Sequence, residues 1–311
     1  MSATEDHLTA AHQLEARSLV EMKNGASISV CLPARNEEDT VGSIVESIQR
    51  SLMTDPTTGS PGFLVDEVVV MDDSSTDDTA GSARRAGAEV RTVSEVLPEC
   101  GPGRGKGNVL WKSVAACTGD IIVWIDADLT SFHPGFVTGL LKPLLSDQRI
   151  AMVKGYYHRP QEDGAGGGRT TELMARPLIS TFFPHLTHIR QPLGGEYASR
   201  REVLERLPFF EGYGVETGLL IDIAKTHGPD SIAQVDLGTR THRIRPLHDL
   251  TAQSMEVLHA AMSRAPGVVW NDQWGSVLRR PGMPPVEVVT AERPPLISCD
   301  GYHPDPSTTS G

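Results

Sequence analysis

Much that would mark a familiar function class is missing from this sequence. The four cysteines, Cys31, Cys100, Cys117 and Cys299, are scattered and form no CxxC pair, which argues against a zinc site and fits a reduced, cytoplasmic protein. Basic residues are in the minority, 28 Lys and Arg against 40 Asp and Glu. The resulting formal net charge of −12 speaks against nucleic acid as a partner, because that binding is driven by cations on phosphates. No apolar run approaches the roughly 18–20 residues of a membrane span. The first residues include Glu5, Asp6 and His7 and no apolar core, so they do not read as a signal peptide. No GxGxxG follows the first candidate strand, which counts against a nicotinamide-binding Rossmann domain. The segment Gly101-Pro102-Gly103-Arg104-Gly105-Lys106-Gly107 is not a P-loop either. Its first glycine is one place too close to Lys106, and position 107 is Gly where Ser or Thr is required. There is no internal repeat.

What is present is a regular alternation of strand and helix signals over 311 residues, enough for one large domain or two modest ones. Strands are expected at Ile28 to Leu32, Val65 to Met71, near Val90, at Ile121 to Ile125, Ile150 to Tyr157 and Ile232 to Leu237. Helices are expected from about Leu8 to Met22, from Asp39, up to Ala86, over Asn108 to Cys117, over Pro134 to Leu145, from Thr170 with an interruption at Pro177, from Glu216, and over Asp249 to Arg264. In the second of these, Val41, Ile44, Val45, Ile48 and Leu52 fit the helical period. The alternation predicts an α/β fold with a largely parallel sheet and right-handed crossovers. The expected divisions are an N-terminal helical extension (1–25), a nucleotide-sugar half (26–160), an acceptor half (161–265) and a C-terminal extension (266–311) ending in disorder.

Chemistry concentrates where strands end. Five apolar residues, Ile121 to Ile125, lead into Asp126-Ala127-Asp128. Two carboxylates just beyond a buried strand suit a hard divalent cation that keeps coordination positions for phosphate oxygens. The plainer reading is a pair of turn or capping aspartates. Lys106 sits at the expected start of a helix, beside backbone N–H groups that suit an anion; the alternative is a solvated glycine loop. Residues 161–168 form a glycine-rich loop ending at Arg169-Thr170-Thr171, a candidate lid. Gly194 and Gly195 suggest that the backbone closely approaches another group there. Thr241 to Arg245 is a basic stretch.

Three segments then match a known pattern in order: Pro33-Ala34-Arg35-Asn36-Glu37, Val70-Met71-Asp72-Asp73-Ser74-Ser75-Thr76-Asp77, and Asp126-Ala127-Asp128. Over roughly residues 26–160 the chain resembles nucleotide-sugar glycosyltransferases of the GT-A fold. The Gly-Gly-Gly-Arg-Thr-Thr loop, Pro-Leu-Gly-Gly-Glu-Tyr, Gly-Tyr-Gly-Val-Glu-Thr and Thr-His-Arg extend the match to about residue 265. There it resembles the glucosyl-3-phosphoglycerate synthases of actinobacteria, mycobacteria especially.

The resemblance implies transfer of glucose from UDP-glucose to the 2-hydroxyl of 3-phosphoglycerate, with retention at the anomeric carbon. It implies Mg2+, with Mn2+ or Co2+ as substitutes, a place in methylglucose lipopolysaccharide synthesis, and a homodimer in which the segment from about Ala265, with Val268, Val269, Trp270 and Trp274, is a candidate interface. It assigns Asp128 and His242 to the metal and Asp126 to the ribose or an outer position. Pro33, Ala34, Arg35, Glu37 and Asp73 cradle uridine, and Lys106 lies near the diphosphate. Gly168, Arg169, Thr171 and Arg243 meet the anionic acceptor, with Arg245 adding to the field; arginine grips phosphate through paired hydrogen bonds. Glu216 holds glucose hydroxyls, and the Leu193 carbonyl lies near the anomeric centre. One departure is Ile244, where a polar asparagine is expected.

Rival readings stay open from the residues alone. Glu216 could act as a nucleophile in a double displacement. The donor could be GDP-mannose, as in a mannosyl-3-phosphoglycerate synthase, or the acceptor bare glycerate. A sugar nucleotidyltransferase also pairs an α/β nucleotide site with aspartates and Mg2+, and a non-catalytic sugar-nucleotide binder would show affinity without turnover.

Overall fold

In a computed structural model, which describes residues 15–55, 58–59, 63–158, 168–239, 250–269, 271 and 275–303, a seven-stranded sheet runs through both halves of the chain. Its strands are β1 (Ile28–Ala34), β2 (Glu67–Asp72), β3 (Glu89–Thr92), β4 (Ile121–Trp124), β5 (Met152–His158), β6 (Tyr197–Arg200) and β8 (Ile232–Thr239), in the order β3-β2-β1-β4-β6-β5-β8. The first four pair in parallel, as the alternation predicts. β6 inserts antiparallel between β4 and β5, and β8 returns parallel to β5. The order reverses at β1, which has β2 on one side and β4 on the other. The carboxyl ends of β1 and β4 therefore border a crevice where α/β proteins bind ligands.

Helices cover both faces. Among them are α1 (Val41–Ile48), α2 (Thr79–Arg85), α3 (Gly105–Ala116), α4 (Gly135–Ser146), α5 (Arg176–Phe182), α6 (Val215–His227) and α7 (Leu250–Met262). Alternation along β1 sends Val30 and Leu32 into one core layer, with α1 and α4, and Cys31 into the other, with Trp111 of α3 and Leu219 of α6. In α1 the buried set Val41, Ile44, Val45 and Ile48 is the stripe the helical period calls for. All four cysteines are free thiols.

Three expectations need correcting. Pro177 does not interrupt its helix: a wide π-turn, Thr171–Ala175, precedes α5, and Pro177 falls in the first turn of α5, where no N–H is needed. The helix expected from Asn108 starts three residues earlier, at Gly105. The glycine segment before it is not a free loop, because Arg293 donates to the carbonyls of Cys100 at 2.6 Å and Gly101 at 3.2 Å and to Asn108 Oδ1 at 2.9 Å. Arg293 belongs to a two-residue strand, β11 (Glu292–Arg293), that pairs with β7 (Phe209–Phe210), so the C-terminal extension packs back on its own subunit. Among the described residues it also carries a hairpin of β9 (Val277–Arg280) and β10 (Met283–Glu287). Residues 161–167 of the candidate lid, the basic stretch 241–245, Trp270, Trp274 and the last eight residues lie outside the described residues.

Candidate active site

Three motif loops leave neighbouring strand ends and are tied to one another. After β1, the Asn36 side-chain oxygen accepts the Thr76 N–H at 2.8 Å, and the Asn36 N–H donates to Ser75 Oγ at 3.0 Å. The Glu37 N–H donates to Thr79 Oγ1 at 2.8 Å, and the Asp78 N–H donates to the Glu38 carboxylate at 2.8 Å. Thr40 Oγ1 donates to the Ala127 carbonyl at 2.6 Å, fastening the first loop to the Asp-Ala-Asp turn. Asn36 and Ser74 both have φ of 59°, a backbone cost accepted only where surrounding bonds impose it. This zip holds Pro33 and Ala34 at the end of β1 beside Met71 and Asp72. It sets the exposed Arg35 guanidinium 3.7 Å from Asp73. Burial raises the Asp73 carboxyl above its ordinary value; Arg35 opposes that rise and Asp72 adds to it.

Deeper in the crevice, one lysine joins two chain segments. Lys106 Nζ lies 2.9 Å from Asp126 Oδ1 and 2.9 Å from Glu216 Oε1. Asp126 follows β4, and Glu216 occupies the first turn of α6 with only 4% of its side chain exposed. Burial alone would push the Lys106 ammonium down, but Asp126 and Glu216 outweigh it and hold the group well above 10.5. Two of the helix N–H groups beside Lys106 are already taken within the fold and so are not open to an anion. Gly107 N–H donates to the Gly212 carbonyl and Asn108 N–H to the Glu211 carbonyl. A Cβ on Gly107 would come 1.7 Å from the Phe210 oxygen, so this glycine permits packing.

The Leu193 turn leads into β6. A Cβ on Gly195 would sit 2.4 Å from both Asp126 carboxylate oxygens, so the turn lies flat against Asp126. Thr171 is buried in the π-turn, and the Gly168 carbonyl accepts the Glu172 N–H at 2.9 Å, which places Gly168 and Arg169 at the opening of that helical stretch. His242 and Arg243 lie outside the described residues.

Asp128 is exposed two residues beyond Asp126. Among the described residues no group of three or more His, Cys, Asp and Glu stands ready to hold a metal. The donor chemistry nonetheless fits a hard cation of the Mg2+ type, which is commonly held by one or two carboxylates with phosphate oxygens completing its shell. Asp126, with its Lys106 contact, is less suited to that task than Asp128.

Sequence reasoning passed over Lys154 and gave no role to Glu196 or Tyr197, which it met only within the Pro-Leu-Gly-Gly-Glu-Tyr motif; all three are fully or nearly fully buried beside this cluster. A lysine inside the apolar run Met152-Val153-Lys154-Gly155-Tyr156-Tyr157 was the available signal.

The sequence model of glycosyl transferase family 2 matches residues 29–207. Glucosyl-3-phosphoglycerate synthase of Mycolicibacterium smegmatis is 51% identical over 247 residues, 78% of each chain. That of Petrotoga mobilis is 42% identical over 303 residues, 92% of this chain and 91% of the other. A crystal structure of glucosyl-3-phosphoglycerate synthase from Mycobacterium tuberculosis in complex with Mn2+, UDP-glucose and phosphoglyceric acid is similar at a TM-score of 0.79 and 44% identity, covering 91% of this chain and 94% of that one.

Proposed function

This chain belongs to the glucosyl-3-phosphoglycerate synthases within glycosyl transferase family 2, and we propose on that footing that it transfers glucose from UDP-glucose to the 2-hydroxyl of 3-phosphoglycerate with retention at the anomeric carbon. The observation that carries this reading is the Lys106 bridge. It sets the carboxylate at the end of β4 and the carboxylate opening α6 on one ammonium, at the crevice where the nucleotide loops meet.

In this reading the zipped loops after β1 and β2 present Pro33, Ala34, Arg35, Glu37 and Asp73 to uridine. Asp126, fixed by Lys106, addresses the ribose, and Lys106 sets a positive charge beside the diphosphate. Asp128 would hold a divalent ion, Mg2+ or Mn2+ or Co2+, together with His242. When bound, that ion supplies a positive charge that stabilises the departing diphosphate, a contribution of several kcal/mol. Glu216, anchored on Oε1 by Lys106, is placed to accept hydrogen bonds from glucose hydroxyls. That anchoring supports a holding role over a nucleophilic one, since a carboxylate neutralised by an ammonium is a poorer nucleophile. The Leu193 carbonyl lies beside the anomeric carbon, and the acceptor attacks from the face the diphosphate leaves. Gly168, Arg169, Thr171 and Arg243 take the acceptor phosphate and carboxylate.

The reading also places the enzyme in the cytoplasm, in methylglucose lipopolysaccharide synthesis. The free thiols support the compartment, and no described helix is long and apolar enough to cross a membrane. A homodimer belongs to the same reading; sedimentation tests it. The function is tested by incubating the protein with Mg2+, UDP-glucose and 3-phosphoglycerate. Glucosylated product with an α-linkage by NMR is expected. Pyrophosphate release from UTP and glucose 1-phosphate, or turnover only with GDP-mannose, would replace the reading.

A further inference from the structure

Lys154 stands in the middle of β5 and is 2% exposed. A lysine in a sheet core is costly, because its charge gives up water. Burial pushes this ammonium down to about 8, against the upward pull of Glu216. A methionine would fill the same strand position without that cost. The ammonium makes two contacts, with the Gly194 carbonyl and the Tyr197 ring, and both lead to the transfer site. Nζ donates to the Gly194 carbonyl at 2.6 Å. It also lies 4.4 Å from the ring centre of Tyr197, its register partner on β6, whose ring packs 4.9 Å from Trp124 at the end of β4.

The Gly194 peptide belongs to the turn that carries Leu193. That turn has two successive glycines and few intrinsic restraints. It is closed by the Gly194 N–H donating to the Gln191 carbonyl at 3.2 Å and is pressed against Asp126 at Gly195. Lys154 supplies its third fixed point, on the carbonyl between those two contacts.

We propose that Lys154 is a positioning residue of the transfer site: its buried ammonium fixes the Gly194 carbonyl and thereby sets the Leu193–Gly195 turn against Asp126 in the geometry that glucose transfer requires. The proposal rests on the transferase reading above. The side chain itself touches neither sugar nor phosphate; it acts through the turn.

The test is Lys154→Met in the full chain, compared with wild type by steady-state kinetics with Mg2+, UDP-glucose and 3-phosphoglycerate, and by thermal melting. Misplacing a reacting centre by about 1 Å costs on the order of 10²-fold, so kcat should fall by about that factor while the UDP-glucose KM stays within about threefold. The melting temperature should change little, because relief of the buried charge offsets the loss of the bond to the Gly194 carbonyl. A purely structural lysine would instead lower stability and activity together and raise KM. That pattern, or a kcat equal to wild type, overturns the role of Lys154 while leaving the transferase reading in place. Wild type that forms no glucosylated product overturns the transferase reading, and this role with it.

Discussion

Lys106→Met tests the bridge that organises the site. The Lys106 side chain is 19% exposed and contacts Asp126 and Glu216 at 2.9 Å each. Removing one member of a buried ion pair leaves the other charge uncompensated, at about 3–5 kcal/mol. Two features favour the lower end: part of the side chain reaches solvent, and Lys154 still acts on Glu216. The expected loss is about 3 kcal/mol, or about 6 °C in melting temperature at roughly 2 °C per kcal/mol for a chain of this size. Its sign with pH follows from the ammonium. Folding holds Lys106 well above 10.5, so its stabilisation is complete below pH 10.5 and fades only as pH rises through the folded value. Wild type should therefore keep its advantage throughout the neutral and mildly alkaline range. Differential scanning calorimetry at neutral pH measures the difference, and titration with UDP-glucose should show weakened binding in parallel. A variant that melts with wild type would refute the idea that this lysine neutralises the buried Glu216 and the half-buried Asp126.

Two further outcomes are expected. Gly195→Ala puts a methyl 2.4 Å from both Asp126 oxygens, so either Asp126 or the Leu193 turn must move; steady-state kinetics should show a loss of about 10²-fold in kcat. The stability difference between Lys154→Met and wild type should depend on pH. Lys154 titrates at about 8 when folded against an ordinary 10.5, so between those values the unfolded chain binds more protons and wild-type stability rises with pH. Urea unfolding should show wild type gaining about 3 kcal/mol on the variant between pH 7 and pH 10.5. A constant difference would mean that this lysine is not the titrating group.

The strands and motif loops were legible because their signals are local. Ile121 to Ile125 is an uninterrupted apolar run, and the turns after β1 and β2 are rich in Asp, Asn, Ser and Thr. What was hidden depends on contacts distant in sequence. Gly105 and Gly107 read as loop by composition, yet α3 begins there: a Cβ on Gly107 would strike the Phe210 carbonyl and Gly105 has a φ of 73°, so these glycines answer packing and backbone geometry despite their low helix propensity. Asp126 and Glu216 are each visible as candidates, but 90 residues separate them and only the fold brings both to Lys106. The role of Lys154 depends on β6 entering between β4 and β5, a non-sequential insertion that no periodicity reports. Pro177 misled because the rule for proline concerns α-helix interiors, and a π-turn precedes it.

The central claim is that the exposed carboxylate of Asp128 holds the divalent ion through which UDP-glucose is gripped. Calorimetric titration of UDP into wild type and Asp128→Ala, each with and without Mn2+, tests it most directly. The account predicts that Mn2+ tightens UDP binding to wild type by at least about tenfold, about 1.4 kcal/mol, and leaves the variant unaffected. Equal enhancement by Mn2+ in both proteins would contradict it.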